Sequence, residues 1–290
     1  MSKPRRLTSL LGTYPVTAPL KEGAVRSPLV EFDFADVAKP SSAFKRVVRN
    51  LEFEFSELAL VTYLIALAHD KPLVLLPAVL FARFQHQYLV HDAARGTLAP
   101  GDLAGKRIAV RSYSVTTVTW LRGMLEECGV DASRVTWLTT EEAHVAEFVD
   151  PPSVVRAPAG ADPLALLREG EADAAILNEL PDDPRIKPVF ADPAAAAEAW
   201  HRKTGAVQIN HMVVVKRALA RDEPGIVKEA WRMLCASREA ASLSGADVAA
   251  FGWEPNRRNL DVAIDYAYRQ RLIPRRFTVD DLLDDATRGF

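Results

Sequence analysis

Lys106-Arg107-Ile108-Ala109-Val110-Arg111, continued by Ser112-Tyr113-Ser114-Val115-Thr116-Thr117, is a short apolar run that gives way to hydroxyl residues. That pattern is a strand feeding a capped helix. Val118, Leu121, Leu125 and Cys128 then recur at helical spacing, Gly129 ends the helix, and Val135-Thr136-Trp137-Leu138 supplies the next strand, completing a βαβ unit. Further on, Pro163 to Arg168 reads as a short helix stopped by Gly170, and Ala172 to Leu177 as another buried strand. Alternation of this kind predicts an α/β fold with a mostly parallel sheet.

The flanks repeat the pattern. Strands are expected at Leu7 to Leu11, Val30 to Phe34 and Leu51 to Phe55, with a helix at Ser41 to Asn50. Ser56 is read as the cap of a helix through Ala68, followed by a strand at Pro72 to Leu76 and an extended run at Arg83 to Val90. Beyond the loop Pro181-Asp182-Asp183-Pro184 comes a long strand at Val207 to Val215, and then helices. Asp222 caps the first with Pro224 in its opening turn; Leu260, Ile264 and Tyr268 mark a face of the next; Thr278 starts the last. Two α/β lobes are expected, 1–93 with 208–290 and 94–207, joined by crossings near 88–98 and 203–212, with a ligand cleft between them. Periodicity alone leaves a single large doubly wound sheet open.

Composition narrows the function classes. At 290 residues the chain has room for two lobes, and 49% apolar with 26% charged residues excludes a disordered or fibrous chain. Thirty-six Lys+Arg against 38 Asp+Glu leave no basic field for nucleic acid or an anionic membrane, so any anion must be held locally. Cys128 and Cys235 stand apart without CxxC or Cys/His spacing and read as buried small residues. The basic start Lys3, Arg5, Arg6 precedes an apolar run too short for a secretion signal, and the most apolar stretch, Leu58 to Leu80, is interrupted by His69-Asp70-Lys71-Pro72. A cytoplasmic location is the expectation.

The Arg111-to-Thr117 junction would present helix N–H groups, the hydroxyls of Ser114, Thr116 and Thr117, and the Arg111 guanidinium together, a combination that suits an anion. Without GxGxxG or GxxxxGK[ST], a small carboxylate fits better than a dinucleotide or nucleoside triphosphate. Ser56 and Glu57 offer a second helix start. Along Arg83-Phe84-Gln85-His86, alternation sets Arg83 and Gln85 on one side and Phe84 and His86 on the other. His144 follows the second strand of the middle lobe, and Asn210-His211 precede the apolar run Met212-Val213-Val214-Val215, where two polar side chains entering a buried strand need partners. No HExxH or GxSxG occurs, so neither a metal nor a Ser–His–Asp set is expected, although Glu57, His86 and His211 could meet in space.

At these segments the sequence resembles the 4,5-dihydroxyphthalate decarboxylase family, nearly end to end. The stretches that carry it are Phe53-Glu54-Phe55-Ser56-Glu57-Leu58-Ala59, Arg83-Phe84-Gln85-His86, Val110-Arg111-Ser112-Tyr113, Glu142-Ala143-His144-Val145-Ala146-Glu147, Asp150-Pro151-Pro152 and Ile209-Asn210-His211-Met212. The resemblance implies the two-lobed fold of type II periplasmic solute-binding proteins. It departs in one loop: Tyr14-Pro15-Val16-Thr17 stands where family members usually carry Tyr-Asp-Arg-Thr, which opens the exact substrate.

What the resemblance implies is decarboxylation of a hydroxylated aromatic dicarboxylate to a hydroxybenzoate and carbon dioxide, part of aromatic compound catabolism, with no organic cofactor. The partner is then a small aromatic carboxylate. Arg111, Ser114, Thr116 and Thr117 would anchor the retained carboxylate, with Arg83, His144, Asn210 and Ser56 as further binding residues. His211 is the first choice for the proton donor and His86 the second; Glu57 would orient the imidazolium or accept a ring hydroxyl. The alternatives are a non-catalytic binding protein for a small acid and another enzyme on the same scaffold.

Overall fold

The structure, a computed structural model, describes residues 3–241 and 248–290. The chain divides into two units. The first comprises Met1–Arg83, Ile209–Asp265 and Ile273–Phe290; the second comprises Phe84–Gln208 and Tyr266–Leu272.

The sheet of the first unit has the order β2 (Val30–Phe34), β1 (Arg5–Leu10), β3 (Phe55–Ala59), β11 (Ile209–Lys216), β4 (Leu73–Ala82). β1 pairs in parallel with β2 and β3, whereas β11 runs antiparallel to both β3 and β4. β3, a central strand, is buried throughout, as a strand covered on both faces should be, and β4 at the sheet's edge is buried almost throughout. The flanking helices are α1 (Ala18–Lys21), α2 (Phe44–Asn50), α3 (Leu60–Ala68), α7 (Arg217–Asp222), α8 (Pro224–Ala240) and α9 (Trp253–Arg269), the last ending in the second unit. Leu60 to Ala66 of α3 are buried without interruption, so no polar stripe appears in its sequence.

In the second unit the order is β10 (Ile186–Pro188), β5 (Leu89–Asp92), β9 (Ala174–Ile176), β6 (Arg107–Val110), β7 (Thr136–Thr139), β8 (Val154–Arg156). The pairs from β9 to β8 are parallel and those of β5 antiparallel. α4 (Thr116–Glu127), α5 (Pro163–Glu169) and α6 (Pro193–Thr204) complete it. The βαβ unit of β6, α4 and β7 is the one read from the sequence, and two separate sheets exclude the single doubly wound one.

Several local expectations are corrected. Ser56 and Glu57 lie inside β3, and α3 begins only at Leu60 with Ala59 as its N-cap. Pairing of Phe55–Ala59 with β11 overrides the local capping signal. The same pairing moves the strand expected at Leu51 to Phe55 four residues downstream. The run from Arg83 is broken by a 3-10 turn at His86–Tyr88 before β5. α4 is capped by Val115 without a side-chain bond, so the neighbouring hydroxyls do not serve as its cap. Asp222 closes α7 and Glu223 is the N-cap of α8, because two helices abut there. The final helix is one 3-10 turn, Val279–Leu282. Cys128 is exposed, Cys235 half-buried and Tyr268 43% exposed, each at the edge of an apolar stripe rather than under it.

β11 is irregular where it matters. Ile209 faces Ala82 but His211 already faces Phe81, so Asn210 is an extra residue, and further shifts follow on either side of Met212. Pro77 has no N–H for the ladder, and β4 is bulged there; its carbonyl accepts instead from the Gly252 N–H at 2.8 Å. Bulges of this kind re-aim side chains.

Candidate active site

A buried carboxylate organises the polar centre of the first unit. Glu57 is fully buried in β3, one strand from His211 on β11. Three donors converge on it: the Gly12 N–H reaches Oε2 at 2.7 Å, the Tyr14 hydroxyl reaches Oε1 at 2.6 Å, and the His211 ring reaches Oε1 through Nδ1 at 2.6 Å. A carboxylate only accepts, so Nδ1 carries a proton and Nε2 is left as the ring's other edge. Burial, and then the adjoining carboxylate, push the Tyr14 phenol well above its ordinary value, which keeps it a donor.

The approach of Tyr14 depends on glycine. A Cβ at Gly12 would stand 2.6 Å from the Tyr14 ring. Thr17, fully buried, closes the loop: its hydroxyl donates to the Gly12 carbonyl at 2.7 Å and accepts from the Tyr14 N–H at 2.9 Å. Aromatic rings enclose the imidazole, Phe44 at 5.2 Å edge-on and Phe81 at 5.4 Å, leaving its side chain 16% exposed. Phe81 also stacks on Tyr14 at 5.9 Å and carries the Arg83 guanidinium at 5.2 Å from its centroid.

Glu57, His211 and Arg83 are therefore drawn into one cluster, and Asn210 is the buried bulge residue beside it. Ser56 is not part of it. As the neighbour of Glu57 in β3 it points to the other face of the sheet, where its hydroxyl is buried without a hydrogen-bond partner.

The second unit holds the other candidates. Arg111 follows β6, its Nη2 lies 3.4 Å from Nε2 of the buried His144, and its Nε lies 3.9 Å from Glu141. The Glu141 N–H donates to the Arg111 carbonyl at 2.7 Å, which ties the β7 loop to this arginine. Ser114, Thr116 and Thr117 are buried at the start of α4. His86 is buried with Nδ1 unpartnered and Phe190 edge-on at 5.1 Å; burial pushes its pKa down to about 4, which favours the neutral ring without the second proton of an imidazolium.

Tyr14, Gly12 and Thr17 escaped the sequence reading. Their signal was present, a glycine, a tyrosine and a threonine in the loop after the first strand, but that loop was weighed only for the residues it lacks. No group of three or more His, Cys, Asp or Glu side chains that could hold a metal ion occurs among the described residues, so Glu57, His86 and His211 do not form one set. Among those residues no helix is long and apolar enough to cross a membrane.

No protein-family model matches the chain. It is 31% identical over 233 residues to a 4,5-dihydroxyphthalate decarboxylase of Comamonas testosteroni, covering 76% of this chain and 70% of that one. A 4,5-dihydroxyphthalate decarboxylase of Pseudomonas putida is 30% identical over 210 residues, covering 68% and 81%. Among solved structures, the alkanesulfonate-binding protein of Xanthomonas axonopodis pv. citri superposes with a TM-score of 0.58 at 15% identity over 97% of this chain and 99% of that one. The fold is that of the periplasmic binding proteins.

Proposed function

This chain belongs to the 4,5-dihydroxyphthalate decarboxylase family, and from that premise we propose that it removes one carboxylate from a hydroxylated phthalate, with His211 as the proton donor. The observation that carries the assignment is the His211–Glu57 hydrogen bond of 2.6 Å inside an aromatic surround.

In the reaction the C–C bond to the departing carboxylate breaks and a C–H bond forms at the same ring carbon. The substrate carboxylate leaves as carbon dioxide, and one proton must reach the ring. Electron density from a hydroxyl para to that carbon makes it basic enough to accept. His211, protonated on both nitrogens, delivers the Nε2 proton; Glu57 holds Nδ1–H throughout, and solvent restores the proton afterwards. Glu57 gives the imidazolium a counter-charge and fixes its plane, while Tyr14 and the Gly12 N–H keep the carboxylate in place. The apolar rings of Phe44 and Phe81 suit a departing neutral molecule, since gripping that carboxylate equally in substrate and transition state would leave the barrier unchanged.

Arg111 and the opening turn of α4, within the second unit, offer a group that suits a carboxylate, where a charge-assisted hydrogen bond is worth about 1.5–3 kcal/mol. Val16, buried where the family's loop usually has an arginine, supports a substrate preference that differs from that of members with the arginine.

Carbon dioxide release from 4,5-dihydroxyphthalate and related hydroxyphthalates tests the reading. His211→Gln is expected to lower kcat by about 10²–10⁴ with ligand affinity largely kept. Saturable binding by the wild-type chain without product would replace the enzyme with a small-acid binding protein.

A further inference from the structure

We propose that a cavity in the second unit, walled by Arg122 and Arg271, is a separate binding site for a small organic carboxylate. It measures about 720 Å³, and none of the residues assigned to the reaction lines it.

Arg122 sits in α4 with no exposed surface. Its Nε donates to the Gln270 Oε1 at 2.8 Å, and Gln270 is itself held by the Thr119 carbonyl at 2.9 Å. Nη1 and Nη2 have no hydrogen-bond partner among the described residues. Buried cations are ordinarily paired, because desolvation is costly unless an acceptor replaces water. The Tyr113 ring lies 3.5 Å from the guanidinium carbon and offsets part of that cost through its π face. The N–H bonds point along the guanidinium plane, where a ring stacked on the face cannot accept them.

Glu126 and Asp150 are near enough to act on the Arg122 charge, but neither hydrogen-bonds its Nη atoms, and their ion pairs go elsewhere. Glu126 pairs with Arg269 at 3.6 Å, Asp131 accepts from the backbone and hydroxyl of Ser133, and Asp150 pairs with Arg156 at 3.2 Å. Arg271 is exposed, has no ion-pair partner among the described residues, and is held at φ +57°, a left-handed conformation that costs a non-glycine residue free energy. Three guanidinium groups, Arg122, Arg269 and Arg271, thus line the cavity beside Glu126 and Asp131, and neither acid hydrogen-bonds Arg122 or pairs with Arg271 among the described residues.

The shape selects among anions. With Tyr113 on its face, the Arg122 fork can be met only at its edge, the geometry a carboxylate satisfies with two parallel hydrogen bonds. Phe148, Val149 and Pro151 form an apolar part of the wall, which suits an organic body rather than a bare phosphate. Tyr113 and the Asp150-Pro151-Pro152 segment were singled out in the sequence and are not used by the reaction.

Benzoate and inorganic phosphate, titrated calorimetrically into the full-length protein, and crystals soaked in 4-bromobenzoate test the site. The expected result is a bromobenzoate bound beside Arg122, seen by bromine anomalous scattering. A benzoate isotherm that weakens about tenfold in Arg271→Ser and in Arg122→Lys, with turnover of the hydroxyphthalate unchanged, should accompany it. Arg271→Ser alters an exposed residue and decides the matter if Arg122→Lys fails to fold. Absence of bromine from the cavity, or benzoate binding indifferent to Arg271→Ser, overturns the proposal. Phosphate binding as tightly as benzoate overturns the organic class.

Discussion

His211 in the first unit and His86 in the second are both largely buried imidazoles, and their surroundings differ in one respect that decides their chemistry. His211 has a carboxylate on Nδ1 at 2.6 Å, so it can take a second proton beside a counter-charge. His86 has an unpartnered Nδ1 and an aromatic edge, and burial holds it neutral. His144 gives a third case, its nitrogen beside the Arg111 guanidinium. The partner on one nitrogen thus differs in each of the three imidazoles, and the roles proposed for them follow that difference.

The contrast breaks most sharply at Glu57. Glu57→Gln keeps size and one acceptor but removes the counter-charge, and kcat is expected to fall about 10²–10⁴ while the folded state persists; steady-state kinetics beside circular dichroism check it. An enzyme that turns over normally without this carboxylate removes His211 from the acid role as well.

Next in size is Arg111→Leu, which should weaken binding of a hydroxyphthalate about 10–100-fold with a smaller change in kcat. Equal losses in kcat and affinity would place Arg111 with the chemistry instead of the anchoring.

His86 sharpens the comparison through pH. Its folded-state pKa of about 4 lies below the ordinary 6.5, so the unfolded chain binds the proton first. The stability it supports is complete above about pH 6.5 and is lost as pH falls to about 4, on the order of 1–3 kcal/mol in total. In His86→Gln that part of the slope is expected to vanish from urea-unfolding free energies measured across the window. An unchanged slope assigns acid lability to other groups.

The smallest effect is expected for Tyr14→Phe, which removes one of three donors to Glu57 and leaves the ring stack on Phe81. A loss of about 1–2 kcal/mol in stability and a severalfold drop in kcat should follow, with the pH dependence of kcat altered as well. A purely structural tyrosine would move the stability alone.

Much of the second unit was legible because its order is local. The β6–α4–β7 run has its own periodicity, its own glycine stop and hydroxyls at the junction, and the strand and helix fell within a residue or two of their observed limits. In the first unit the same reasoning misplaced Ser56 and Glu57 at a helix start. A serine followed by an acid is a fair capping signal, but Val213 and Val214 supply the ladder for this segment from more than 150 residues away. Glu57 and His211 nevertheless meet in one hydrogen bond: His211 was singled out as a polar group entering a buried strand, where such groups need partners, and Glu57 as the carboxylate of an expected helix start. Tyr14 carried no such contrast, because a tyrosine in a loop after a strand reads as ordinary.

Residue order by itself determined the alternation of strands and helices, the buried runs, and the small set of polar side chains that had to be satisfied inside. Only the tertiary structure decided who satisfies whom. The register of β11 between β3 and β4, with Asn210 bulged out, sets His211 against Glu57, and the loop after β1 brings Tyr14 to the same oxygen. The reason is physical: backbone periodicity and capping act within a few residues, whereas a buried carboxylate is matched to its donors by sheet order and register, which no local window contains.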